Sequence, residues 1–75
     1  MQEEKFKVRA FGYGELAQLY FPTSSKRSAS VQFRRWIIHN KRLLTELTNT
    51  GYMPGVRLLT PKQVGVIVEH LGEPN

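Results

Sequence analysis

The chain runs to 75 residues with 40% apolar content, enough for one small hydrophobic core and no second one. It contains no cysteine and no aspartate, which excludes disulfide staples, thiolate metal sites, cysteine nucleophiles, EF-hand loops and catalytic units built on Asp. The formal net charge is +5, and its distribution says more than its size: between Glu15 and Glu46 stand Lys26, Arg27, Arg34, Arg35, Lys41 and Arg42, with no acid among them.

Residues 5–11 alternate, with Phe6, Val8 and Ala10 on one side and Lys5, Lys7 and Arg9 on the other, the period of a half-buried strand. Gly12 and Gly14 interrupt it. Residues 15–21 then offer a short helix that Pro22 ends, because the proline ring disfavours helical geometry in the residue before it. A polar connector, residues 22–27, leads to Ser28, the expected N-cap of a second helix reaching His39. Ala29, Phe33, Trp36 and Ile37 recur at i, i+4, i+7 and i+8 as a core stripe. Val31 and Ile38 sit round the back, so this helix is expected to be central and covered on two sides.

Asn40 caps a third helix over residues 41–50, with Leu43, Leu44 and Leu47 inward and Gly51 as its left-handed stop. Pro54-Gly55 makes a turn, and residues 56–59 form a second strand. Thr60-Pro61-Lys62-Gln63 opens the last helix with a capping box and a proline at its first position. Val64, Ile67, Val68 and Leu71 line that helix, and Gly72 stops it. Two strands alone are not stable in water, so they must pair and rest on the helices. The predicted fold class is mainly α: a small winged or excisionase-like helix-turn-helix domain, about four helices with a two-stranded β ribbon, strands near 5–11 and 56–59.

No apolar stretch approaches the roughly 18 residues of a membrane span. The start, Met1-Gln2-Glu3-Glu4-Lys5, lacks the charged, apolar, small order of a signal peptide. A soluble, cytoplasmic protein with no membrane role is expected, folded as a single domain over residues 1–75 with flexible tails at 1–4 and 73–75. A basic block of this kind attracts polyanions such as nucleic acid, unless it is only a solvated face.

The second helix carries the strongest functional signal. Ser28, Gln32, Arg35 and His39 recur at i, i+4, i+7 and i+11 as one polar stripe. Gln and Arg pair bidentately with adenine and guanine edges in the major groove, so these four are the candidate base-reading residues. Lys26, Arg27, Arg34, Lys41 and Arg42 around the helix are candidate phosphate contacts. Lys7, Arg9 and Arg57, with Lys5, are candidates for the same role on the outer face of the ribbon, where a wing would lie. The expected partner is double-stranded DNA. The connector is longer than the usual turn of about three or four residues, which weighs against the motif. A second partition takes helices two and three as the motif, with Lys41, Arg42, Thr45 and Asn49 reading. Glu46 in the middle of that face would meet phosphates.

Other constellations carry less. Gly12-Tyr13-Gly14-Glu15-Leu16-Ala17 has the form of a dinucleotide fingerprint, but Pro22 cuts its helix short and no parallel strand follows. His39 and His70 have no cysteine or aspartate to complete a metal set, and His70 in the last turn of its helix suits the dipole. No nucleophile signature surrounds the serines and threonines, and the glutamates are scattered. The expectation is no enzyme, no catalytic residue, no cofactor and no metal. The aromatics, at helical spacing, are core rather than a stacking platform for single strands. A rival class is a protein-interaction module, in which an exposed strip at Val31 and Ile38 binds a partner and the basic face stays solvated. A homodimer through those two residues fits either reading.

With Val8-Arg9-Ala10-Phe11-Gly12-Tyr13-Gly14-Glu15-Leu16-Ala17, Arg34-Arg35-Trp36-Ile37, Gly51-Tyr52 and Leu59-Thr60-Pro61-Lys62-Gln63-Val64 in order, the chain resembles a family of short proteins. That family is a domain of unknown function found chiefly in Bacteroides-type gut bacteria. The resemblance spans nearly the whole chain. It implies an intracellular bacterial protein with a stand-alone domain, and it brings no activity, cofactor or site residue.

Overall fold

A computed structural model of the protein describes residues 6–74. Its elements run β1 (Phe11–Gly12), α1 (Tyr13–Tyr20), α2 (Lys26–His39), α3 (Lys41–Asn49), β2 (Leu58–Leu59) and α4 (Pro61–Leu71). The two strands pair antiparallel, Phe11 with Leu59 and Gly12 with Leu58. The fold is therefore small and mainly helical with a two-stranded ribbon, as the sequence patterning implies.

Each helix begins where a side chain can satisfy a free backbone N–H. For α4, Gln63 N donates to Thr60 Oγ1 at 3.2 Å while Thr60 N donates to Gln63 Oε1 at 3.0 Å, with Pro61 at the first position. For α3, Asn40 Oδ1 accepts from Leu43 N at 3.1 Å. Gly51, at φ 92°, follows this helix in the left-handed conformation that a side chain would resist. For α1, Glu15 reaches back to accept from Gly12 N at 3.1 Å, so the helix starts at Tyr13 and absorbs Gly14. A Cβ at Gly14 would come within 3.0 Å of Lys26 Cε, the far end of a flexible side chain, where α1 meets the start of α2.

The N-cap of α2 is Ser25 rather than Ser28. Ser25 Oγ accepts from Ser28 N at 3.1 Å, and Ser25 O accepts from Ala29 N at 2.8 Å. Both serines can cap, and starting at Ser25 adds most of a helical turn. Residues 21–25 are then all that separates α1 from α2, one fewer than the expected connector.

The ribbon is also shorter than the alternation of residues 5–11 suggests. Residues 6–10 form no strand, and Val8 is 51% exposed. The partner segment has only Leu58–Leu59 to offer, between a turn closed by Val56 N on Met53 O (3.1 Å) and the Thr60 cap of α4. An alternating sequence without a facing strand has no ladder to join. Phe6 still turns inward and stacks on Phe11 at 5.4 Å.

Phe33 is the centre of the core. It is fully buried, with the Tyr13 and Tyr20 rings each 5.3 Å from it. Burial of such a side chain contributes roughly 1.5–3 kcal/mol, a large share for a marginal domain. Leu16 and Ala17 from α1, Ala29 and Ile37 from α2, Leu43 and Leu47 from α3, and Val64 and Ile67 from α4 close around it. Trp36 does not join them. It is 44% exposed and covers Phe21 at 4.6 Å and Tyr20 at 6.2 Å on the rim.

Val31 and Ile38 are exposed as well, so α2 is covered on one side and not on two. At the other end of the chain, Pro74 is buried although it falls in the expected tail. The Tyr20 hydroxyl donates to Gly72 O at 2.6 Å, tying the end of α4 to α1.

Candidate nucleic-acid interface

The rotation of α2 is fixed by Ala29, Phe33 and Ile37, all fully buried. A period of 3.6 residues then turns Arg27, Val31, Arg34, Arg35 and Ile38 to solvent, and all five are exposed. Val31 and Ile38, at i and i+7, stand nearly in line along the middle of this face. Arg27 and Arg34 flank them on one side; Arg35, Ser28 and His39 flank them on the other.

The four candidate base readers differ in freedom. Gln32 is half-buried, and its Nε2 donates to Ser24 Oγ at 3.0 Å and to Ser28 Oγ at 3.2 Å. That amide ties the α1–α2 loop to the helix, while the Ser28 hydroxyl accepts a bond within α2. Arg35 and His39 are exposed. His39 lines an open groove with Trp36, Asn40, Lys41, Arg42, His70 and Leu71, where the end of α2, the start of α3 and the end of α4 converge.

The phosphate candidates of the basic block share one property. Among the described residues the one Lys/Arg–carboxylate pair is Arg9–Glu15 at 3.4 Å, and Glu46 meets the His70 imidazole at 2.9 Å, so no carboxylate of these residues contacts a cation of the block. Lys26 and Arg27 occupy the first turn of α2, and Lys41 and Arg42 that of α3. Neither first turn holds an acid. The helix macrodipole places about half a positive charge at each of these ends and disfavours cations there. Arg34 stands beside the Tyr13 and Tyr52 phenols, which burial pushes upward and its guanidinium partly pulls back.

The ribbon contributes less than a wing would. The Arg9 guanidinium lies 3.8 Å over the Phe11 ring, donates to Ala10 O at 2.6 Å and pairs with Glu15. The Gly12 N–H, then Arg9, hold the Glu15 carboxyl below its ordinary range. Arg9 is thus engaged within its own segment. Lys7 and Arg57 are exposed, and Lys5 lies outside the described residues.

On α3, Lys41, Arg42, Thr45 and Asn49 are exposed together. Glu46 is not centred among them: its carboxylate meets His70 of α4, at the α3–α4 edge. Glu69 is close by, and one donor atom from each of Glu46, Glu69 and His70 falls within 4.8 Å of the others. A cation there would have to break the Glu46–His70 pair, and both carboxylates are solvated. These residues meet across two helices, so no local spacing in the sequence signals them.

No helix among the described residues is long and apolar enough to cross a membrane. No curated protein and no solved structure matches the chain. Residues 7–74 do match a family, and over that span the protein belongs to the one described as a domain of unknown function, DUF4248.

Proposed function

We propose that the protein binds double-stranded DNA as a small winged helix-turn-helix domain, with α2 in the major groove and the basic block on phosphates. One observation carries this reading: four cations, Lys26, Arg27, Lys41 and Arg42, stand in first helical turns that contain no acid. Selection for stability alone places Asp or Glu there. A polyanion lying across both helix starts makes the same placement favourable, because the cations and the free N–H groups then act together.

Arg35 is the exposed α2 residue best suited to a base edge, guanine by geometry, with His39 one turn on. Gln32 can read a base only by releasing Ser24 and Ser28. The loop of residues 21–25 brings α1 and α2 nearer to a helix-turn-helix connection than the sequence suggests. In this reading the protein has no catalytic role and needs no cofactor. It works in the cytoplasm of Bacteroides-type bacteria, as the family resemblance implies.

The test is anisotropy of a labelled random-sequence duplex at several salt concentrations. With four to six phosphates engaged, affinity falls by roughly two to three orders of magnitude between 50 and 200 mM salt. Arg35→Ala narrows the gap between preferred and random duplexes, while Lys26→Ala or Lys41→Ala weakens all duplexes alike. Unchanged affinity after Arg34→Glu with Arg35→Glu refutes the proposal. The exposure of Val31 and Ile38 favours a second reading, a protein-interaction module or homodimer seated on α2. Self-association seen by sedimentation velocity and lost in Val31→Asp would support it.

A further inference from the structure

Val31 and Ile38 are the part of α2 that neither solubility nor phosphate contact explains. They are 47% and 50% exposed, at the centre of a face edged by Arg27, Arg34 and Arg35. Leaving β-branched aliphatics in water forfeits their burial, and a helix face meant for solvent carries polar residues there. A protein partner would need far more apolar surface: a stable interface buries roughly 800 Å² per partner, beyond what two half-covered side chains supply. The basic flanks, with no acid on α2, call for a polyanion.

The major groove of DNA is polyanionic at its walls and has one apolar group on its floor, the thymine C5 methyl. We infer that Val31 and Ile38 read thymine methyl groups, which makes the preferred site one with thymines on either side of the pair that Arg35 contacts. This rests on α2 being the helix in the groove. Residues seven apart rise about 10 Å along a helix, or about three base-pair steps of roughly 3.4 Å. Arg35 lies between Val31 and Ile38 along the axis, so its guanine falls between the two thymines.

The experiment selects bound duplexes from a random pool and then replaces each thymine of the selected site by deoxyuridine, which removes the methyl and nothing else. Affinity should fall about fourfold at each contacted thymine, the value of one buried carbon. Val31→Ala and Ile38→Ala should each lose the thymine-uracil difference at one position while keeping the salt dependence. Both side chains are exposed, so circular dichroism should show the fold retained. Full salt-dependent binding that ignores every thymine-to-uracil change overturns the methyl contact and leaves DNA binding standing. No duplex binding at low salt overturns both. Binding of an acidic amphipathic peptide, lost in the same two variants, would assign the face to a protein partner instead.

Discussion

Replacing Lys41 and Arg42 by glutamate should make the free protein more stable and its complex with DNA weaker. Both residues sit in the first turn of α3 behind the Asn40 cap, and neither has a carboxylate partner among the described residues. A charge at such a position is worth about 0.3–1 kcal/mol, and exposure puts these two at the low end. Exchanging a cation for an anion reverses the sign, so each swap is worth about 0.5 kcal/mol and the pair about 1 kcal/mol. In a domain this small that raises Tm by about 4–8 °C. The net charge also drops four units from +5, which eases self-repulsion in the same direction. Arg35→Glu, in the middle of α2, controls for that general term because it lies away from a helix start. Thermal melts by circular dichroism in low salt and in 1 M salt separate this electrostatic gain from a change in packing, since screening at about 3 Å removes most of the gain. The same double variant should lower the salt slope of DNA binding by about two. If Tm falls, the two side chains stabilise the native packing, and their placement no longer argues for a polyanion.

Three other outcomes follow from single contacts. Tyr20→Phe deletes the bond to Gly72 O and should cost about 1 kcal/mol by denaturant titration, without changing the helix content. Burial pushes the Tyr20 phenol up to about 12, so its neutral form stabilises the fold below pH 10 and that contribution is lost as pH rises from 10 toward 12. The phenylalanine variant should show a flatter alkaline limb. Thr60→Ala breaks the capping box of α4 and should cost about 1 kcal/mol, read as a lower urea midpoint at unchanged slope. Glu15 has its carboxyl held below 4.5 by Gly12 N–H and Arg9, so its stabilisation is complete at neutral pH and is lost as pH falls through the depressed value. Glu15→Gln should flatten the acid limb of stability against pH; an unchanged limb would mean the Gly12 contact does not hold in solution.

The readable parts of the fold were those set by neighbours in sequence. Thr60, Pro61 and Gln63 specify their own helix start within four residues, and the structure has that start bond for bond. Asn40 and Gly51 bound α3 for the same reason. The ribbon's length was not readable, because a ladder extends only as far as its partner, and Leu58–Leu59 is hemmed in by a turn and a cap. Nor was the depth of Trp36: periodicity gives the direction of a side chain on α2 but not the width of the buried arc. The site followed the same division. Arg35 and the block's cations could be placed from spacing, while the Gln32 amide bonded to Ser24 and the Glu46–His70 pair needed the tertiary fold. One reading failed through ambiguity alone. With Ser28 as cap, Lys26 and Arg27 precede the helix and their conflict with its dipole is invisible; with Ser25 as cap it appears.

That conflict belongs to a pattern. Over most of the chain, local preference and tertiary packing agree: caps, proline, glycine stops and apolar seams all specify the same elements. They disagree in places: cations without a neighbouring acid occupy the first turns of α2, α3 and, with Lys62, α4, and aliphatics face water at Val31 and Ile38 on α2 and at Val8 and Leu58 elsewhere. Sequences break local rules where function requires it and offset the loss elsewhere. On α2 the two coincide: Val31 and Ile38 stand on one helix face between Arg27, Arg34 and Arg35. On the proposed DNA reading, a partner anionic along its length and methyl-bearing between its charges answers both features of that face, which a purely acidic or purely apolar partner would not.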